Sequence, residues 1–288
     1  MLLLKLFAQL LSPLPWRVGQ WVGGFLGLIW YYGLPIRRKT VRSNLALALP
    51  ERRDHRAIAR ACYRHLGISF YELLKASRLS NPELAKKIHP HGMSRYHRAI
   101  AKGRGVIVVT AHFGNFDLLA VSQAALGIPL AIVSRSLRQP GVNRLWMSTR
   151  KRSGVKIFPE SGAARSILKW LQKGKVIGLT ADQRTKPSKG GIQVDFLGHP
   201  AWTTTAPAAL AMATGAPLLP VRLERRSDGD HDLFIEEEIP LTRPKNSQSV
   251  FSLVEKYNEV IGKWVATCPE QWMWLHKRFK DYKRIEQT

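Results

Sequence analysis

Cysteine is nearly absent: Cys62 and Cys268 are the only two in 288 residues. They make no disulfide framework, and neither a CxxC pair nor a Cys/His spacing suited to zinc occurs. The chain reads as one from a reducing compartment, with both thiols as core or surface residues rather than nucleophiles. Acidic residues are scarce too, 20 against 45 Lys and Arg, which leaves a formal net charge of +25. Walker A and GxGxxG phosphate loops are missing, as is the GxSxG turn of serine hydrolases. "HPHG" (89–92) offers two histidines without a third ligand at usable spacing, so it reads as a loop and no resident metal or other cofactor is expected. Internal repeats and low-complexity linkers are absent as well.

The positive charge is spread along the chain. It recurs as "RRKTVR" (37–42), "RRDHRAIAR" (52–60), "RKR" (150–152), "RLERR" (222–226) and "KRFKDYKR" (277–284). A field of this sign attracts polyanions: nucleic acid, an anionic membrane face, or an acidic protein or phosphorylated substrate. No helix-turn-helix, zinc-finger or RNP pattern supports nucleic acid. A membrane face is supported by residues 18–36, which contain no charged side chain. At about 1.5 Å per residue this stretch makes a helix of roughly 29 Å, close to the hydrocarbon thickness of a bilayer. Its five glycines, Gln20 and Pro35 weaken it as a span. Trp21, Trp30, Tyr31 and Tyr32 resemble interfacial anchors, and Arg37, Arg38 and Lys39 place the rest of the chain on the cytoplasmic side. Attachment is expected, either across the bilayer or lying in its surface.

Residues 40–90 read as helical, with Ile58, Cys62, Leu66, Phe70 and Leu73 at three- and four-residue spacings, and Asn81-Pro82 marks a break. The rhythm then changes. Short apolar runs at 105–111, 130–135, 176–181 and 218–224 alternate with helical stretches at 116–126, 140–152, 162–173 and 204–214. A further strand is expected at 231–239 and a late amphipathic helix at 249–267. This alternation predicts an α/β fold with a central, mainly parallel, mixed sheet flanked by helices. The expected division is an N-terminal apolar membrane-anchoring helical segment (1–36), a basic helical segment packing on the core (37–95) and an α/β domain (96–288).

The run "VVTAHFGNFDLLA" (108–120) ends a strand on His112. In open α/β sheets the carboxyl ends of strands are where ligands sit. Gly114 permits a tight turn, Asn115 suits a helix N-cap, and Asp117 falls in the first helical turn. A neutral imidazole can take a proton from a hydroxyl, and a carboxylate on its other nitrogen fixes the tautomer. His112 and Asp117 are therefore the candidate catalytic pair. The other reading is a structural histidine beside a helix-capping acid.

In its order of strand, His112, turn, Asp117 and helix, this block resembles the H-x4-D/E block of the glycerolipid acyltransferase superfamily. Within it the chain is most similar to the bacterial lipid A late acyltransferases. The stretches "VSRSLRQPGVNRLWMSTRKRSG" (133–154), "LQKGKVIGLTADQR" (171–184), "GGIQVDFLGHPAWTTTAPAALAMATGAPLLPV" (190–221) and "CPEQWMWLHKRFK" (268–280) carry the same resemblance, in the same order. Asp117 departs from the glutamate common in that family. "FPESG" (158–162) lies too early to be the superfamily's Pro-Glu-Gly block.

The resemblance implies direct acyl transfer to a lipid A precursor, with His112 as general base and Asp117 orienting it. Arg135, Asn143 and Arg150 would bind substrate, the arginines through phosphates. Asp182 and Gln183 would contact acceptor hydroxyls or hold Arg135. Acyl carrier protein or acyl-coenzyme A would be the donor, and the enzyme would sit on anionic lipids at the cytoplasmic side of the bacterial inner membrane. A lysophospholipid, glycolipid or aminolipid is the alternative acceptor.

Overall fold

The computed structural model describes residues 9–34, 36–135, 139–241 and 246–280. Residues 1–8 and Pro35 of the expected anchor lie outside the described residues. Helices α1 (Trp16–Gly33), α2 (Arg38–Ala48) and α3 (His55–Ala76) come first. One face of α1, with Gly19, Gly23 and Gly27, is buried along α3. The two backbones touch: a Cβ on Gly27 would run into the carbonyl oxygen of Tyr63, and one on Gly67 into that of Gly23. Glycine costs a helix about 1 kcal/mol relative to alanine, so the residues that make this stretch a poor span have a packing reason instead. The opposite face leaves Val18, Trp21, Phe25, Ile29 and Tyr32 exposed, Trp21 at 79% and Phe25 at 61%. No helix among the described residues is long and apolar enough to cross a membrane.

A short helix, α4 (Asn81–Ala85), starts at the Asn81-Pro82 break under a capping box of Ser80 and Glu83. Strand β1 (Ile88–His91) comes next, so "HPHG", expected as a loop, supplies an edge strand of the sheet. Its sequence gives no signal because the pairing partner lies far along the chain, and the sheet thus begins before residue 96. The chain continues through α5 (Met93–Ile100), β2 (Val106–Thr110), α6 (Phe116–Ala125), β3 (Leu130–Val133), α7 (Pro140–Arg152), β4 (Lys156–Phe158), α8 (Ala164–Gln172) and β5 (Val176–Thr180). A hairpin of β6 (Gly191–Phe196) and β7 (His199–Thr204) precedes α9 (Ala206–Thr214), β8 (Leu218–Arg225), β9 (His231–Ile235) and α10 (Ser247–Thr267). The expected strands and helices are found within a few residues of their bounds. Three-residue β4 and the hairpin, whose residues alternate with polar ones, went unread.

Among the described residues one seven-stranded sheet runs β1-β9-β8-β2-β5-β3-β4. Strands β8, β2, β5, β3 and β4 are parallel, β9 is antiparallel to β8, and β1 is parallel to β9. Every residue of β2 is buried. Ile107 and Val109 join the core on one face and Val106 and Val108 the core on the other, which is why its sequence is an unbroken apolar run. Helices thus cover both faces of an α/β sheet.

Some of the basic runs are internal. Arg278 is buried and donates to Trp202 O at 2.7 Å, Thr203 Oγ1 at 2.7 Å and Asn258 Oδ1 at 3.1 Å, tying the hairpin to α10. Residues 281–284 of that run lie outside the described residues.

Candidate active site

Strands β2 and β5 end in register, Thr110 opposite Thr180. Two residues beyond each stand His112 and Asp182, and Ala181 N donates to Thr110 O at 2.9 Å to extend the pairing. Equal offsets from paired strands bring the two side chains together, with His112 Nδ1 2.8 Å from Asp182 Oδ1. Trp272 Nε1 donates to the other carboxylate oxygen at 2.9 Å. Asp117 was expected on this imidazole nitrogen, and Asp182 occupies it instead. The reason is local: Asn115 Oδ1 caps α6 by accepting from Leu118 N at 3.0 Å, and this sends Asp117 along the first helical turn toward α7. There its carboxylate accepts from Arg150 Nη2 at 2.8 Å.

The turn between His112 and α6 is clamped from the C-terminal segment. Gly114 N donates to Gln271 O at 2.8 Å, and Met273 N donates to His112 O at 3.0 Å. Gly114 has φ +56°, and a Cβ there would collide with the Leu223 carbonyl oxygen, so only glycine fits. Asn44 Nδ2 holds the same segment by donating to the carbonyls of Trp274 and His276, at 2.8 and 2.7 Å.

Their surroundings shift the two carboxyls in opposite directions. Burial pushes Asp182 up, but the His112 imidazole and the hydrogen bonds from His112 and Trp272 outweigh it and hold the group at about 2. Burial raises Asp117 to about 6 against the opposing pull of Arg150 and His112. Burial alone would lower His112; Asp182, with help from Asp117, overcomes it and raises the imidazole above its ordinary 6.5. The ionised Asp182 accepts a hydrogen bond from Nδ1–H, which fixes the proton there and leaves the lone pair on Nε2. Gln183 Nε2 lies 3.3 Å from that nitrogen and donates to it. The imidazole is 16% exposed. The arrangement can accept a proton from a hydroxyl at Nε2 and stabilise the resulting imidazolium through Asp182.

A groove of about 390 Å³ opens beside the pair, within the roughly 300–1,000 Å³ range of small-molecule sites. Phe116 stands between the two, its ring centroid 4.6 Å from that of His112. The walls come from α1 and α3 through Leu26, Leu66 and Phe70, and from α7 through Val142 and Trp146, with Asp117 at the rim of α6. It is an almost wholly apolar slot, separated from His112 by the Phe116 ring.

The other expected site residues fall in different places. Arg150 is buried, donates also to Ser134 Oγ at 2.9 Å and stacks over Trp146; its guanidinium is committed to Asp117 rather than open to phosphate. Arg135 is exposed and pairs with Glu160 at 2.6 Å, so Glu160 of "FPESG", and neither Asp182 nor Gln183, is its partner. Asn143 lies on the first turn of α7, next to the groove-lining Val142. Trp272 and the C-terminal clamp were not assigned roles from sequence. Their signal was the density of large residues in "CPEQWMWLHKRFK".

A histidine paired with a buried aspartate at the carboxyl edge of a parallel sheet, with an apolar groove nearby, suits proton transfer on a substrate with an apolar part. Comparison with known proteins makes the class specific. The sequence profile described as bacterial lipid A biosynthesis acyltransferase matches residues 2–281, and the chain belongs to that family of acyltransferases. It is 28% identical over 273 residues to the lipid A biosynthesis lauroyltransferase of Escherichia coli (strain K12), covering 94% of this chain and 88% of that one. It is 26% identical over 275 residues to the lipid A biosynthesis palmitoleoyltransferase of the same organism, covering 93% and 86%. Similarity extends to the phosphatidylinositol mannoside acyltransferase of Mycolicibacterium smegmatis, 26% identical over 185 residues, 63% of this chain and 59% of that one.

Proposed function

We propose that this enzyme transfers a fatty acyl chain from a thioester to a hydroxyl of a lipid A precursor, with His112 as general base and Asp182 setting its tautomer. The acceptor hydroxyl gives its proton to His112 Nε2 as its oxygen attacks the thioester carbonyl carbon. The C–S bond then breaks, and the leaving thiolate takes the proton back from the imidazolium. No covalent acyl-enzyme is formed. The observation that carries this reading is the contact between the base and the apolar slot through Phe116, which sets an alkyl chain beside the reacting atoms. Asp117, with Arg150, fixes the start of α6 and α7 around that slot and adds negative charge near the imidazole. Lauroyl and palmitoleoyl chains, named for the relatives, are the first donors to test.

The donor is acyl carrier protein, whose acidic surface suits a chain of net charge +25; acyl-coenzyme A is the alternative. The enzyme sits on the cytoplasmic side of the bacterial inner membrane. The exposed stripe of α1 enters the leaflet surface while its glycine face stays on α3. Each basic residue near anionic lipid adds about 1 kcal/mol. A glycolipid acceptor is the second reading, favoured by the likeness to the mannoside acyltransferase.

The test pairs lauroyl-acyl carrier protein and lauroyl-coenzyme A with a lipid A precursor, a lysophospholipid and a mannolipid, using wild type and His112→Ala. Transfer to the lipid A precursor that His112→Ala abolishes supports the proposal. Transfer confined to another acceptor, or undiminished in His112→Ala, overturns it.

A further inference from the structure

Behind the catalytic turn lies a buried ionic cluster that takes no part in the proton transfer. Glu72, on α3, is fully buried and ionised. Arg225, at the end of β8, donates to it twice, Nε to Oε1 and Nη2 to Oε2, both at 2.7 Å. Gln20 Nε2 on α1 donates to Oε1 at 2.7 Å, and His231 Nε2 stands 3.3 Å from Oε2. Charges this deep are costly unless well paired, and an apolar pair would join β8 to α3 with no such demand.

Two further bonds give the cluster a direction. Asn115 Nδ2 donates to Glu72 Oε2 at 2.8 Å, while its Oδ1 caps α6. Arg225 Nη1 donates to His65 Nδ1, which puts the His65 proton on Nε2, and that nitrogen donates to Gly114 O at 3.0 Å. Gly114 and Asn115 are two of the four residues between His112 and Asp117. The ion pair therefore grips the turn at both of them, one directly and one through a neutral histidine.

We infer that Glu72 is a positioning residue for acyl transfer: paired with Arg225, it locks the Gly114–Asn115 turn and so fixes His112 and Asp117 relative to the apolar slot. Gln20, itself on α1, extends the lock to that helix, and its amide nitrogen also donates to Gly229 O at 2.7 Å in the turn between β8 and β9. The seat of α1 and the geometry of the base are thus held by one cluster. A displacement of about 1 Å at a reacting group costs roughly a hundredfold in rate, which sets the scale of the expected effect.

The inference rests on the proposed role of His112, and the test separates the two. Steady-state transfer from lauroyl-acyl carrier protein to a lipid A precursor is measured for wild type, His112→Ala, Glu72→Gln, Asn115→Ser and Glu72→Gln/Asn115→Ser, with rates normalised to folded protein. Asn115→Ser keeps an N-cap oxygen of equal quality but does not reach Glu72, and it carries the test alone if Glu72→Gln does not fold. Glu72→Gln is expected to lower kcat about a hundredfold with the donor KM within threefold. Asn115→Ser is expected to lower kcat at least tenfold while still folded at the assay temperature, its Tm lowered by the lost bond to the buried carboxylate, and the double variant to be no slower than Glu72→Gln. Full kcat in Asn115→Ser, or losses that multiply in the double variant, overturns the positioning role. Undiminished transfer by His112→Ala overturns the reading of the site itself.

Discussion

Replacing Asp182 by asparagine probes the pairing of His112 most sharply. The side chain keeps its shape, and its amide oxygen still accepts from Trp272. The amide nitrogen then faces Nδ1 of His112 and donates to it, so the imidazole proton moves to Nε2 and the base loses its lone pair. The structure sets the size of the effect. Asp182 is held at about 2 against an ordinary 3.8, a net preference for the ionised form on the order of 2 kcal/mol after the opposing cost of burial. General-base assistance of this kind is worth roughly 10²–10⁴ in rate, and reversal of the tautomer carries comparable His–Asp sites to about 10⁴. A fall in kcat of ~10² to ~10⁴ is therefore expected. Stability depends on the same charge. With its folded value depressed, Asp182 stabilises the protein above its unfolded value of 3.8, and the contribution is lost as pH falls through about 2. Asp182→Asn thus lowers Tm at pH 7, and the assay is run below that Tm with folding checked by circular dichroism. A folded variant with kcat within threefold of wild type would refute the reasoning.

Wild-type kcat/KM should rise with pH through an inflection above 6.5, because Asp182 raises His112; in Asp182→Asn the inflection should fall, and an unmoved one speaks against the pair. Asp117→Asn strands the buried Arg150 at a cost of about 3–5 kcal/mol, or roughly 5–8 °C in Tm for a chain of this length, and Asp117→Asn/Arg150→Met should restore most of it. Failure of that rescue in thermal melts contradicts the pairing. Leu26→Trp narrows the slot; displacing two methylenes at about 0.8 kcal/mol each should penalise lauroyl against octanoyl donors about fifteenfold in kcat/KM. Equal losses for both would place the chain elsewhere. Trp21→Glu/Phe25→Glu removes two exposed side chains worth about 1.5–3 kcal/mol each when buried, so co-sedimentation with anionic vesicles should weaken at least a hundredfold, and unchanged binding would rule α1 out as the contact.

Much of the fold was legible because parallel strands covered on both faces must be largely apolar, and the runs at 106–110, 130–133, 176–180 and 218–221 obey that demand. Strand β1 was not, since His89, Pro90 and His91 form a strand only by pairing with β9, some 140 residues away. The position of His112 was evident from its place after β2. Its partner was not, because H-x4-D spacing counts residues along the chain while the carboxylate arrives from the next strand. Had 106–110 and 176–180 been set side by side, their equal two-residue extensions would have pointed to Asp182. Arg150 was read as a phosphate ligand for lack of any signal that α7 buries its last turn against Asp117. The glycines of α1 looked like defects of a span because the helix they pack on is 40 residues away.

The proposed chemistry turns on which nitrogen of His112 carries the proton. Nitrogen-15 NMR of histidine-labelled protein, with the His112 signals assigned by their loss in a folded His112→Gln variant, reads this directly at a pH above the imidazole's raised value. A protonated Nδ1 and a bare Nε2, exchanging places in Asp182→Asn, is the predicted result. A proton on Nε2 in the wild type, or a spectrum indifferent to Asp182→Asn, would contradict it.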